Sequence, residues 1–265
     1  MKDNLPEKKE REYVETGVPG FDKLFRHGIP KGSTVLVAGG TGSGKTNFCL
    51  QILAHHAAKG KKCYFMGFEE SEERLIEHME DFGWNPGELI KSGNLKIKRF
   101  LTSEIYYYDK KSGSDIEAMM TKEVDPLLME LEPLAISEET GFKPDFIILD
   151  SLSAVSSTFS GKDQSYRFYV ERLFRFFEKI GCTTFLITET QQIPELFSPT
   201  GVEEFLADGV IVFYNIRKEN VRETAIEVLK MRGEKHQKKI VALKITEKGI
   251  NVYPDVEVFG ALELK

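Results

Sequence analysis

Residues 32–50 read GSTVLVAGGTGSGKTNFCL and place an apolar run, a glycine-rich loop and a helix-like segment in direct succession. The apolar run at 32–38 is short and bounded by glycines, which predicts a buried strand. From residue 47 to 59 apolar side chains recur at the spacing of an α-helix. The loop between them, residues 39–46, matches the pattern G-x-x-x-x-G-K-S/T, which requires a strand before it and a helix after it. We therefore predict a strand, a loop and a helix here, as at the start of an α/β domain.

This loop has the composition that binding of nucleotide phosphates requires. Glycines let successive backbone N–H groups converge on an anion, and the N-terminus of the following helix adds a favourable dipole. Lys45 would neutralise the β- and γ-phosphate oxygens of ATP, and the hydroxyl of Thr46 would bind Mg²⁺. The predicted nucleotide contacts are the loop and the first helical turn: Gly40, Thr41, Gly42, Ser43, Gly44, Lys45, Thr46 and Asn47.

A second apolar run, DFIIL at residues 145–149, ends at Asp150. A buried strand that ends in aspartate can deliver its carboxylate to the edge of the sheet where the loop lies, as a Mg²⁺ ligand. An isolated aspartate after a strand is as often a turn residue. Because the loop pattern is also present, we predict that Asp150 completes the metal site with Thr46.

Two adjacent acidic residues, Glu69 and Glu70, directly follow the predicted strand at residues 62–68. A carboxylate at this place could orient the water that attacks the γ-phosphate. The pair could equally be acidic residues before the N-terminus of the helix predicted from residue 71, where the dipole favours them. If the strand continued, the two side chains would point to opposite faces, so only one could act as the base.

Lys230 and Arg232 flank Met231 near the C-terminus of the sequence. On a strand these two cations share one face and project together. A solvent-exposed edge strand would also carry such charges, so the pair by itself does not establish a function.

The order of the predicted elements indicates one domain. Up to Asp208, strands alternate with helices, which predicts a central, mostly parallel sheet flanked by helices. Beyond it, residues 209–218, 222–232, 239–246 and 249–253 resemble strands of an antiparallel C-terminal extension. We expect an α/β domain over residues 13–265, after a charged tail at 1–12 that is disordered.

Composition narrows the classes of protein to consider. Apolar residues make up 41% and charged residues 29% of the chain, as in ordinary globular proteins. There is no apolar run of membrane-spanning length and no signal-peptide core, and three scattered cysteines predict buried, reduced thiols in a cytoplasmic protein. The formal net charge of −6 argues against a protein that mainly coats nucleic acid.

With these residues assembled, the sequence resembles the KaiC family within the RecA-like group of P-loop ATPases. The resemblance runs from residue 16 to residue 254, nearly the whole chain. It rests on an ordered series of motifs: TGVPGFD at 16–22, GGTGSGKT at 39–46, GFEES at 67–71, DFGW at 81–84, LDSLSAV at 149–155, TET at 188–190, GVEEFLADGV at 201–210, LKMRG at 229–233 and KGINVYP at 248–254.

The resemblance implies a RecA-like fold, a ring of six subunits and ATP at each subunit interface. It implies that the family's catalytic glutamates fall on Glu69 and Glu70, with the first favoured for activating water. It also implies that Lys230, Met231, Arg232 and His236 line the nucleotide pocket of a neighbouring subunit, with the two cations reaching the γ-phosphate. The partners expected from it are ATP or ADP, further copies of the chain and a downstream protein that the sequence does not identify.

The sequence departs from the clock proteins of this family at two points. Those proteins carry two such domains in tandem, whereas one is visible here, as in the single-domain KaiC-like ATPases. The place of a phosphate-accepting Ser-Thr pair in the second clock domain is taken by Glu204 and Phe205. The autophosphorylation cycle is therefore not expected to carry over.

Several functions share this fold. The first hypothesis is a ring-forming, slow regulatory ATPase. The alternative is a recombination accessory protein, like the RadA paralogues, that binds single-stranded DNA through the stretches at 151–165 and 191–204. The second stretch contains no Lys or Arg, and the first offers only Lys162 with Arg167 nearby, so DNA binding is disfavoured. An ATPase subunit of a surface or motility machine remains a third hypothesis.

Overall fold

The described part of the chain comprises residues 11–102, 143–159, 163–191, 196–218 and 220–258 of a computed structural model. A two-stranded ribbon pairs β1 (Tyr13–Val14) with β2 (Ile29–Pro30). All other strands of the described ranges belong to one nine-stranded sheet. In chain order they are β3 (Thr34–Gly39), β4 (Cys63–Gly67), β5 (Leu95–Arg99), β6 (Phe146–Asp150), β7 (Thr183–Glu189), β8 (Gly209–Lys218), β9 (Val221–Met231), β10 (Val241–Thr246) and β11 (Gly249–Glu257).

The strand order across the sheet is β11-β10-β9-β8-β3-β7-β6-β4-β5. Neighbours from β8 to β5 are parallel. Neighbours from β8 to β11 are antiparallel. The predicted α/β fold, with a mostly parallel sheet and a C-terminal antiparallel extension, is therefore confirmed.

Helices cover both faces of this sheet. In the part of the chain that the structure describes, they are α1 (Lys45–Ala58), α2 (Glu72–Asp81), α3 (Pro86–Lys91), α4 (Leu152–Ser157), α5 (Asp163–Ile180) and α6 (Val202–Leu206), with a 3₁₀ turn at Asp22–Leu24. Successive side chains of a strand point to opposite faces, so each strand contributes to two apolar layers. Val35 and Val37 of β3 pack in the layer that contains α1, whereas Leu36 packs in the layer that contains α5. Burial on both faces explains why the central strands are continuous apolar runs.

The predicted elements agree with the described ones within a few residues. Ser71 caps α2, as its position before two glutamates suggests, by accepting a hydrogen bond from the Arg74 backbone N–H. The short helices α3, α4 and α6 were not predicted, and the largest error in the bounds of a predicted element concerns β11, which extends to Glu257 rather than residue 253. Its second half pairs with the start of β10 after a register shift, which is a tertiary contact that no local pattern encodes.

Some predictions lie outside the described residues. The sequence also predicts a helix at 115–131 and loops at 101–114 and 133–144; the helix and most of both loops lie outside the described residues, as does most of the tail at 1–12. Within the described part, no helix is long and apolar enough to cross a membrane. Cys49, Cys63 and Cys182 are buried free thiols, as predicted.

Candidate functional site

The glycine-rich loop connects the carboxyl end of β3 to the N-terminus of α1. Gly39 packs so closely on β8 that an added Cβ would lie 2.7 Å from the carbonyl oxygen of Phe213. Gly44 precedes the first helical residue with a φ of 97°, a conformation that strongly favours glycine. The Ser43 hydroxyl donates to the Gly40 carbonyl at 2.7 Å and closes the loop on itself. The loop therefore presents its backbone at the N-terminus of α1, as phosphate binding requires.

Lys45 is buried in this loop, with 7% of its surface exposed. Its Nζ donates to the Gly40 carbonyl at 3.0 Å. Burial lowers the pKa of Lys45, and the nearby carboxylates of Glu189, Asp150 and Glu69 oppose that effect. The loop thus holds a cation that acidic groups surround and that an incoming phosphate could neutralise.

The predicted metal ligands are in contact, although 104 positions separate them in the sequence. The Thr46 hydroxyl donates to the Asp150 carboxylate at 2.7 Å. Burial raises the pKa of Asp150 to about 6, against the opposing effect of the hydrogen bond from Thr46. A hydroxyl and a carboxylate at the mouth of a phosphate-binding loop fit Mg²⁺, which takes one or two protein oxygens and completes its shell with phosphates and water. Within the described ranges no cluster of three or more His, Cys, Asp or Glu could hold a metal ion alone. A Mg²⁺ ion that takes most of its ligands from phosphates and water does not need such a cluster.

An acidic residue that the sequence analysis did not identify lies between these groups. Strand β7 separates β3 from β6 in the sheet, and its last residue, Glu189, is in register with Gly39. Among the charged groups around Lys45, Glu189 opposes the lowering of its pKa most strongly. The Glu189 backbone N–H donates to the Ser153 hydroxyl at 2.8 Å, which ties the end of β7 to α4. A carboxylate directly after a buried strand was the available signal, the same one that identified Asp150.

The structure distinguishes the two glutamates, between which local chemistry left the choice open while the family resemblance favoured the first. Strand β4 ends at Gly67, before either residue, so the alternation expected of a continued strand does not apply. Glu69 accepts a hydrogen bond from the Ser151 hydroxyl at 2.8 Å, directly beside Asp150. Glu70 instead faces His78 of α2, with 3.3 Å between its carboxylate and Nδ1. Glu69 is therefore the one bonded to the residue that follows the predicted metal ligand.

We predict that Glu69→Gln will bind MgATP with nearly unchanged affinity but hydrolyse it about 100-fold or more slowly. The amide keeps a hydrogen-bonding partner for Ser151 but cannot accept a proton from the attacking water, a function that contributes roughly 10²- to 10⁴-fold in rate. Single-turnover phosphate release and calorimetric affinity would measure the two effects separately. Glu70→Gln is the matched control, and a reversed result, with Glu70→Gln inactive and Glu69→Gln active, would exchange their roles.

The two C-terminal cations do not lie near this loop. Lys230 Nζ donates to the carbonyls of Glu204 and Ala207, at 3.0 and 2.7 Å. Arg232 donates to the carbonyls of Phe205 and Leu206. These carbonyls end the short helix α6, where the backbone dipole favours positive charge. The predicted shared face of the two cations is thus observed, and both have partners on α6.

The register of the sheet shows how far these cations are from their own loop. Val210 of β8 pairs with both Leu36 of β3 and Lys230 of β9, and the Arg232 backbone N–H donates to Asp208, beside Thr34. The cations are therefore level with the beginning of β3, whereas the loop follows its end. The separation along the strands is roughly 10 to 16 Å at about 3.3 Å per residue, with two strand spacings in addition.

Met231 and His236, which the resemblance also assigns to the nucleotide pocket, lie in different surroundings from the two cations. The Met231 side chain is 5% exposed and packs in the apolar layer, because it points away from the face of its charged neighbours. The Met231 side chain is therefore not available to a nucleotide. His236 follows β9 and forms an isolated bridge with Phe25, and neither of its ring nitrogens has a hydrogen-bond partner among the described residues.

The fold and the geometry of the site together define the class of protein to which this chain belongs. A parallel sheet that places a glycine-rich loop, a buried lysine and a Thr–Asp pair at its carboxyl edge is a P-loop nucleotide-binding fold of the RecA-like type. The family model "ATPase: KaiC" matches residues 14–257. The chain belongs to the KaiC ATPase family, and membership supports nucleotide binding and hydrolysis as its general role.

Individual relatives agree with this assignment. The chain is 31% identical to the circadian clock oscillator protein KaiC of Acaryochloris marina, over 99% of this chain and 47% of that protein. It is 29% identical to a UPF0273 protein of Thermotoga maritima, over 91% of this chain and 96% of that protein. The crystal structure of a KaiC-like protein from Pyrococcus horikoshii superposes with a TM-score of 0.73, at 28% identity, and covers 92% of this chain and 100% of that chain. The chain thus spans about half the length of the clock relative and nearly all of the Thermotoga one.

Proposed function

We propose that the chain is a Mg²⁺-dependent ATPase that hydrolyses ATP at sites shared between neighbouring copies in a ring. The family resemblance implies that this ring is a hexamer. The observation that carries the proposal is the separation of charges within one chain. Lys45 and its surrounding carboxylates lie at the carboxyl edge of the sheet, and Lys230 and Arg232 lie towards the opposite edge. One chain holds the groups that bind a nucleotide, whereas its paired cations are out of reach.

Each residue near the loop has a defined task in this proposal. Lys45 exchanges the Gly40 carbonyl for the β- and γ-phosphates of ATP. Thr46 and Asp150 hold Mg²⁺, which neutralises phosphate charge when it is bound. Glu69 orients the attacking water and accepts its proton, while Ser151 holds the carboxylate in place. These groups bind and orient ATP, but Lys230 and Arg232 of the same chain are too far away to add their charge at the γ-phosphate.

A neighbouring copy would provide that cation. In such an assembly the sheet edge that carries the loop in one copy would meet the part of the next copy that carries Lys230 and Arg232. This contact is heterologous, and heterologous contacts close into a ring when the rotation between copies permits. Lys230 and Arg232 would then face the neighbour's γ-phosphate. Because hydrolysis would require assembly, nucleotide state and assembly would be thermodynamically linked, and we propose a regulatory role on that ground.

The test is the ATPase rate per chain as a function of protein concentration, with mass measured by light scattering in the same samples. The rate per chain should rise together with assembly and reach a plateau when assembly is complete. A monomer that hydrolyses ATP at the full rate would contradict the shared site.

The same samples with added single-stranded DNA test the alternative function. Of the basic residues named for DNA binding, Arg167 pairs with Glu171 at 3.3 Å, and Lys162 lies outside the described residues. We therefore expect no stimulation of the rate and no co-migration of DNA with the protein. A stimulated rate would favour the recombination accessory function.

A further inference from the structure

Helix α6 is the element that holds Lys230 and Arg232. Four consecutive carbonyls, those of residues 204–207, accept hydrogen bonds from the two side chains. Arg232 also lies 3.7 Å from the Asp208 carboxylate, measured from its Nη1 atom. The positions of both cations therefore depend on where α6 lies.

Helix α6 cannot hold its own position. It has five residues, far fewer than a helix needs to be stable without tertiary contacts. Its surface is also partly unprotected, since the Phe205 side chain is 78% exposed. Contacts with the rest of the fold must therefore hold α6 in place.

One polar contact that holds α6 in place is made by a buried carboxylate. Glu203 is fully buried, at 0% exposure, although an unpaired charge in such a place is costly. Its two oxygens accept hydrogen bonds from the hydroxyls of Tyr166 at 2.6 Å and Thr200 at 2.9 Å. The Tyr166 side chain is itself 2% exposed. The Tyr166–Glu203 bond thus ties α6 to α5 inside the core.

This bond also connects α6 to the nucleotide edge of the sheet. The ring of Phe159, two residues after the end of α4, packs on the ring of Tyr166 with 5.7 Å between the two centroids. Helix α4 begins directly after Ser151, the residue that holds Glu69. Burial and the Glu203 carboxylate raise the pKa of Tyr166, so its hydroxyl remains protonated and able to donate. A continuous set of packed contacts therefore runs from the predicted metal ligand to the two cations.

We propose that Tyr166 and Glu203 are positioning residues, whose buried hydrogen bond fixes α6 and thereby fixes Lys230 and Arg232 where they meet a neighbouring copy's nucleotide. This inference rests on the proposed function. Neither residue touches the nucleotide; each acts through the carbonyls of α6.

The test is Tyr166→Phe, which removes one hydroxyl and keeps the ring. In the assembled protein we expect the maximal turnover to fall about tenfold, the effect of losing one strong hydrogen bond to a charged group. The MgATP affinity of the loop should stay unchanged, because Lys45, Thr46 and Asp150 are untouched. Unchanged turnover in a folded, assembled Tyr166→Phe protein would overturn the inference.

A double-mutant cycle separates positioning from general stability. If Tyr166 acts through Arg232, adding Tyr166→Phe to Arg232→Ala should lower turnover by less than about twofold more. Fully additive losses would overturn the inference. An Arg232→Ala protein of normal turnover would instead refute the shared site itself, so the two failures are distinguishable.

Two further variants complete the test. Glu203→Gln keeps a carbonyl that accepts from Tyr166, so it should retain most of the turnover, whereas Glu203→Ala should lose it. Tyr214→Phe is the matched control, because Tyr214 donates to the Glu227 carboxylate at 2.8 Å between β8 and β9. It should lower the melting temperature like Tyr166→Phe but leave turnover unchanged. Equal turnover losses in both tyrosine variants would contradict a specific positioning role.

Discussion

Lys45→Ala is expected to weaken MgATP binding at least about 100-fold, or roughly 2.8 kcal/mol at 1.4 kcal/mol per tenfold change. The substitution removes the cation that faces the β- and γ-phosphates. It also leaves Glu189, Asp150 and Glu69 without the charge that they surround, so the loop would repel an anion that it now attracts. The loop conformation itself should persist, because the Ser43 hydroxyl still donates to the Gly40 carbonyl.

Isothermal titration calorimetry with MgATP measures this effect directly. Lys59→Ala is the matched control, since Lys59 lies at the opposite end of the same helix and is exposed. Its affinity should equal that of the unmodified protein. If Lys45→Ala binds MgATP as tightly as the unmodified protein, the assignment of the loop as the nucleotide site is wrong.

Arg232→Ala is expected to retain MgATP binding and lose about 10³-fold in turnover, the lower end of the range for an arginine supplied from another subunit. Binding should persist because Arg232 lies towards the opposite edge of the sheet from its own loop, level with Asp208. Turnover should fall because the neighbour's γ-phosphate would lose its facing cation. Steady-state rates at saturating ATP, together with calorimetry, separate these two effects.

Complementation provides the sharper form of this experiment. Neither Lys45→Ala nor Arg232→Ala alone should be active, but a mixture of the two should recover part of the rate. In a random equal mixture about one quarter of the interfaces would pair an intact loop with an intact arginine. Arg222→Ala, an exposed arginine on the same strand, is the control and should keep the normal rate. A mixture no more active than its components, despite assembly, would contradict a shared site.

The phosphate-binding loop could be predicted from the sequence because its chemistry is local. Lys45 and Thr46 are adjacent, the glycines that shape the loop are close by, and the strand and helix on either side have distinct apolar periods. Asp150 could be predicted for a related reason. It ends a buried strand, and the carboxyl ends of parallel strands meet at one edge of the sheet.

The roles of the other acidic residues depended on contacts between distant segments. The local chemistry of the sequence does not separate Glu69 from Glu70, although the family resemblance favours Glu69. In the fold, Ser151 bonds Glu69 whereas α2 lies beside Glu70. Glu189 was missed because its importance comes from the strand order, which inserts β7 between β3 and β6. Strand order is a long-range property that no local pattern specifies.

For the cation pair, too, the sequence predicts one property and only the tertiary structure decides another. The sequence by itself determined that Lys230 and Arg232 share a face, because side chains alternate along a strand. Only the tertiary structure decided that this face meets the carbonyls of α6, towards the sheet edge opposite the loop. The physical reason is that β9 runs antiparallel to β8, so its last residues return to the level where β3 begins. Periodicity determines which way a side chain points, whereas the pairing of strands determines what it meets.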